Sequence, residues 1–182
     1  VTDLVLSYKE EGNKLHLEWE PPITGVNGGW IDPDNLTYTI IRYPEGIEVV
    51  SGLSETQFEE EAGLEKGYYY TVRPISTPGI GGLVQSNTII AGNPYTLPWK
   101  ENFEVENAGD SWKVISDDSY YTWLFQASEG LGSSACMGHG TARNLVADDW
   151  MFSPRISLET GKTYRISWYD KSSNKENKYD VT

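Results

Sequence analysis

The 182-residue chain has a single cysteine, Cys136, and only two histidines, His16 and His139. A lone thiol cannot close an internal disulfide, so cysteine usage leaves the redox compartment open. Zinc wants about four nitrogen, sulfur or oxygen ligands, and Cys136-x-x-His139 offers two, with His16 far off in sequence. As a nucleophile and base the pair lacks an orienting group and an oxyanion hole. Its setting, with Gly130, Gly132, Gly138 and Gly140 close by, reads as a surface loop. Basic residues are scarce as well. There are 14 Lys and Arg against 27 Asp and Glu, for a net charge of −13 and a pI near 4.5. Such a surface repels a phosphate backbone and an anionic membrane, which argues against both as partners. No apolar run reaches the length of a bilayer-spanning helix. Gly79–Gly82 is not followed by a helix pattern, so it reads as a turn rather than a phosphate cradle. The chain does not begin with Met and shows no signal-peptide pattern, which points to a processed or trimmed chain.

What is abundant is aromatic side chains and turn formers: 7 Trp, 12 Tyr, 18 Gly and 9 Pro. With hardly any helix-period apolar pattern, this predicts an all-β protein of two units, 1–92 and 93–182. In the first, Leu15, Leu17 and Trp19 alternate with polar residues and stop at Pro21-Pro22. Tyr38 and Ile40 share one face of a third strand, and Tyr68, Tyr70 and Val72 share one face of a later one. Seven short strands at this spacing predict a β-sandwich. Pro74 predicts an edge or a bulge, and Glu59-Glu60-Glu61 reads as a solvated turn. Trp19 and Tyr70 are predicted core. Trp30 lies in a polar loop out of phase with any strand. Either it packs down on the core or it stands exposed as a ligand-contacting residue.

The segments Leu17-Glu18-Trp19-Glu20-Pro21-Pro22 and Tyr38–Arg42, and the spacing of Leu64 to Tyr70, resemble fibronectin type III domains. The resemblance implies an immunoglobulin-like sandwich with Tyr70 as the corner tyrosine, its hydroxyl capping a backbone group. Ile90–Pro98 reads as a short, stiff connector. Charge is uneven across it: 5 basic against 14 acidic residues give −9 before position 93, and 9 against 13 give −4 after it.

The second unit is organised around Asp148–Tyr169. Trp150 and Phe152, then Tyr164, Ile166 and Trp168, alternate about a Glu159–Lys162 turn. This predicts an antiparallel hairpin with Trp150 and Trp168 inside a sandwich. Trp112 and Trp123 are predicted core too. The order of Pro98-x-x-Glu101-Asn102-Phe103-Glu104, Trp112, Asp148-Asp149-Trp150 and Gly161-Lys162-Thr163-Tyr164 resembles a cleaved-adhesin, or gingipain-adhesin-like, jelly roll of galactose-binding or concanavalin-like type. Five or six strands are legible where a jelly roll needs about eight. The unit is therefore expected to be incomplete, to belong to a longer parent, and to leave a sheet edge open to pairing.

The resemblance implies structural Ca²⁺ on hard oxygen ligands, with Glu104, Asp148 and Asp149 inheriting that role and Asp117 and Asp118 as further carboxylates. The plain alternative is that these acids decorate turns and strand ends. Tyr120 and Tyr121 flank the acidic turn and, with Trp30, are the candidate ligand contacts. The resulting expectation is a non-catalytic adhesion or binding module of a secreted or cell-surface bacterial protein. Its loops would contact a host protein or glycan. The other reading is an accessory segment, spacer or targeting module, of a larger secreted peptidase or glycoside hydrolase.

Overall fold

A computed structural model of the chain describes residues 1–77, 79–104, 108–116, 121–140 and 148–172. The described residues are all-β, with antiparallel sheets and only short 3₁₀ turns besides. Two sheets make up the first half. One runs β1 (Thr2–Lys9), β2 (Lys14–Glu20), β5 (Gln57–Glu61) in that order. The other orders β4 (Ile47–Leu53), β3 (Thr37–Tyr43) and β6 (Lys66–Ser76). The short strands β7 (Gly79–Ile80), β8 (Val84–Gln85) and β9 (Ile89–Ala91) all pair with β6.

The period-2 residues fill the space between the sheets. Leu15, Leu17 and Trp19 from one side meet Tyr38, Ile40, Tyr68, Tyr70 and Val72 from the other, each at most 4% exposed. Trp19 lies edge-on to Tyr38 with ring centroids 5.1 Å apart, a favoured aromatic geometry. Pro74 sits in β6 where the facing ladder is interrupted between β7 and β8, so its missing N–H leaves no ladder bond unmade. The final strand is broken at Ser86–Thr88, where Asn87 stitches the sheets by accepting from Leu6 N (2.8 Å) and donating to Leu6 O (2.9 Å).

Two first-half expectations need correction. The corner hydroxyl belongs to Tyr68, which accepts from Gly63 N and donates to Leu64 O, both at 3.1 Å. Tyr70 is buried as expected, but its hydroxyl donates to Glu60 at 2.5 Å. A six-residue spacing fits Ala62 to Tyr68 as well as Leu64 to Tyr70, and Ala62 is buried while Leu64 is 50% exposed. Nor is Glu59–Glu61 a solvated turn. It ends β5, where Glu59 pairs with Lys9, Lys14 and His16, and inward-turned Glu60 holds Arg42 (2.9 Å).

The second half contains β10 (Lys113–Ile115) paired with β13 (Trp150–Phe152), and β11 (Trp123–Gln126) paired with β12 (Cys136–His139). The expected hairpin is not formed. The turn at Glu159–Lys162 closes (Lys162 N donates to Glu159 O, 3.3 Å), but residues 157–172 make no strand. Trp150–Phe152 pairs with β10 instead, and the alternating residues 163–169 pair with no described strand. Trp150 and Trp168 are correspondingly 45% and 54% exposed rather than interior, and Trp112 and Trp123 are half-buried.

The halves meet at a close joint. Asn93 N donates to Gly63 O (2.8 Å) and Tyr95 N to Arg155 O (2.8 Å), so segment 93–95 runs between 63–65 and 155–157. Arg155 reaches across to the buried Glu65 through Nε and donates to Gly92 O through Nη2 (2.6 Å). Gly92 has φ +122°, and a Cβ there would lie 2.7 Å from the Leu64 carbonyl, so only glycine lets the strands approach.

Candidate functional site

The loop joining β2 to β3 is the most prominent exposed apolar feature of the packed first half. Pro21-Pro22 end β2 because they have no N–H to continue its ladder. The chain then folds into a miniature hairpin. Ile31 N donates to Ile23 O (3.0 Å), Gly25 N to Gly29 O (2.8 Å) and Gly28 N to Gly25 O (2.9 Å), while Thr24 and Trp30 face each other in a bridge. Gly28 adopts φ +77°, which closes the turn without steric cost. Past the hairpin, Asp32 accepts from Asp34 N (3.2 Å) and Asn35 Nδ2 (2.5 Å), with Pro33 opening a 3₁₀ turn. Trp19 and Leu36, both buried, anchor the two stems, and Ile31 packs on the core.

This bracing holds three apolar side chains outward. Ile23 is 62% exposed, Trp30 76%, and Val26 at the tip fully so. The stems of the loop and the β4–β5 turn border an open depression of about 450 Å³, lined by Pro21, Pro33, Asp34, Ser54, Glu55, Thr56 and Gln57.

Cations are unevenly placed along the sandwich. No Lys or Arg lies between Lys14 and Arg42, or between Arg42 and Lys66. By register, Lys9 and Lys14 sit at the end of β1 and β2 remote from the loop, opposite Glu61 on β5. Arg42 faces Tyr70 at the corresponding end of the second sheet, with Lys66 at the start of β6 beyond it. These four cations are paired there with Glu59, Glu60 and Glu45. The Lys9 ammonium above all, with His16 and Lys14, holds the Glu59 carboxyl down at about 2. Arg73, the remaining cation of 1–92, faces Thr39 on the loop-side half of β3. The loop end carries Glu20, Asp34 and Glu55 instead.

The expected calcium carboxylates each accept from an N–H donor or pair with a ring nitrogen. Glu104 takes the Ala135 amide (2.8 Å), Asp148 the Trp150 indole N–H (2.8 Å), and Asp149 lies 2.7 Å from His139 Nε2. Side-chain hydrogen bonds from Ser116 and then His139 hold the Asp149 carboxyl below its usual range. Among the described residues no three His, Cys, Asp or Glu side chains converge on one point. Cys136 and His139 stand three apart on β12, an odd separation that sends them to opposite faces. Tyr121 is half-buried with its ring against Gly140. Tyr120, Asp117 and Asp118 lie outside the described residues. Tyr95, Trp99, Trp112 and Phe103 form a chain of ring contacts spaced 5.4–6.1 Å that packs the opening of the second half.

Of the predicted contacts, then, Trp30 stands on a shaped, exposed surface. Ile23 and Val26 went unmarked in the sequence. Their signal was available: apolar residues in a Gly- and Pro-rich loop with no strand phase.

No family model matches the chain. Over 118 residues, 65% of its length, the chain is 28% identical to 1-deoxy-D-xylulose 5-phosphate reductoisomerase, chloroplastic, of Oryza sativa subsp. japonica. It spans only 20% of that protein's length.

Proposed function

We propose that this chain is a non-catalytic binding module of a secreted or cell-surface bacterial protein, meeting a host protein or glycan through its loops. In this reading residues 1–92 are a fibronectin type III-like domain and 93–182 a cleaved-adhesin-like jelly roll. The sheet pairing β1-β2-β5 against β4-β3-β6 supports the first assignment. The observation that carries the function is the braced loop 23–31, which spends internal hydrogen bonds on keeping Trp30, Val26 and Ile23 in water. A side chain with no role outside the fold gains nothing from that position, whereas a pre-shaped aromatic platform binds without a large ordering cost. The joint made by Arg155, Glu65 and Gly92 favours the second reading in part, since a stiff link between halves suits a spacer in a larger secreted enzyme.

The test is retention of the full chain on arrays of extracellular-matrix proteins and glycans, with and without calcium. Binding that Trp30→Ala abolishes supports the module, and silence on every surface argues for the spacer. The calcium arm addresses Glu104, Asp148 and Asp149 directly, because a site there raises the melting temperature when the ion is added.

A further inference from the structure

Resting on the binding-module reading, we infer that the partner at this loop is a cationic protein segment, an extended stretch with Arg or Lys next to an apolar residue. Three observations converge on it. Segments 20–36 and 54–57 carry Glu20, Asp32, Asp34 and Glu55 with no Lys or Arg among them, Arg73 on β6 being the nearest cation by register, while Lys9, Lys14, Arg42 and Lys66 are ion-paired at the far end. Carboxylates with no cation in their own segments attract positive charge to the loop. Asp34 and Glu55 line the depression itself, so a guanidinium or ammonium entering it meets carboxylates while its methylene stem lies along Pro21 and Pro33. Trp30, three residues from Pro33, adds an open indole face, the strongest of the side-chain partners for a cation. Ile23 and Val26 then receive the neighbouring apolar residue. A neutral glycan would use the indole but would gain nothing from the surrounding carboxylates, so Asp34 and Glu55 favour the peptide.

The experiment is fluorescence anisotropy of three labelled peptides of equal length, one Arg- and Lys-rich with interspersed Leu, one with every cation changed to Gln, one with every cation changed to Glu. Each is titrated with the full chain and with Trp30→Ala, Asp34→Asn and Glu55→Gln. All three positions are exposed and Asp32, not Asp34, caps the 3₁₀ turn, so circular dichroism should show the variants folded. The expected result is binding of the cationic peptide alone, weakened about tenfold or more by Trp30→Ala, several-fold by either carboxylate change, and progressively by added salt. Equal binding of the Gln peptide, or cationic binding indifferent to Trp30 and to both carboxylates, overturns the inference while leaving a binding module in place. So does a glycan that needs Trp30 when no peptide binds. Failure of every peptide together with silence on the arrays removes both.

Discussion

The two halves use the same alternating aromatic and aliphatic residues and obtain different things from them. In residues 1–92 the alternation meets alternation across a gap, and a continuous buried cluster runs from Leu6 to Ala91 through Trp19, Tyr38 and Val72. In the described part of 93–182 only Ala135 and Pro154 are fully buried, while Phe125, Trp150, Phe152, Ile166 and Trp168 keep 44% or more of their surface in solvent. The difference lies in partners. β2 and β3 each have a strand on both sides, whereas β10–β13 and β11–β12 are two-stranded ribbons, a size that is marginal in water without something to pack on. A pattern of period 2 nominates a face. Only a facing sheet turns it into a core.

The sharpest way to break this contrast is Trp19→Ala. Losing a large aromatic from the closed core should cost about 3–5 kcal/mol in urea unfolding, against about 1 kcal/mol for Trp112→Ala in the half-buried ring chain. Equal costs would mean the halves are packed alike. Next is the joint. Arg155→Ala leaves the buried Glu65 carboxylate without its charged donor and should cost about 1.5–3 kcal/mol, with the two halves then melting separately by calorimetry. An unchanged single transition would show that the ring contacts, not the ion pair, hold the halves together. Acid comes third. Glu59 is depressed in the folded chain, from 4.5 to about 2, so its contribution is whole above pH 4.5 and fades as pH falls toward 2. Glu59→Gln should flatten stability across that window, measured as thermal midpoint against pH, and a parallel curve would refute the assignment. Asp149 is depressed likewise, so Asp149→Asn should remove an acid-side loss of the same sign from the second half. Smallest of all, Trp30→Ala should move stability by no more than about 0.5 kcal/mol, as expected where a side chain touches little of the fold.

Trp19, Tyr38, Tyr70 and Val72 were legible as core because local alternation and turn chemistry agreed with the global arrangement. The corner tyrosine was not, since spacing alone fits two register choices and the backbone picks Tyr68. Glu60 looked like one of three solvated acids until the strand put it on the inward face beneath Tyr70. Arg155 and Glu65 are 90 positions apart, and nothing local announces that pairing. The 163–169 alternation was legible as a face but not as a strand, because its partner is not encoded in the segment itself. Trp30 was legible as out of phase. Its bracing by Gly25, Gly28 and Asp32 was not.

That bracing is what makes the loop a surface rather than a tether, and hydrogen–deuterium exchange of the intact chain reads it residue by residue. The Gly25, Gly28 and Ile31 amides, each bonded inside the loop, should exchange markedly more slowly than the unpaired amides of 165–170. If the loop amides exchange as fast as that unladdered stretch, the platform is not pre-shaped and the proposed site loses its foundation.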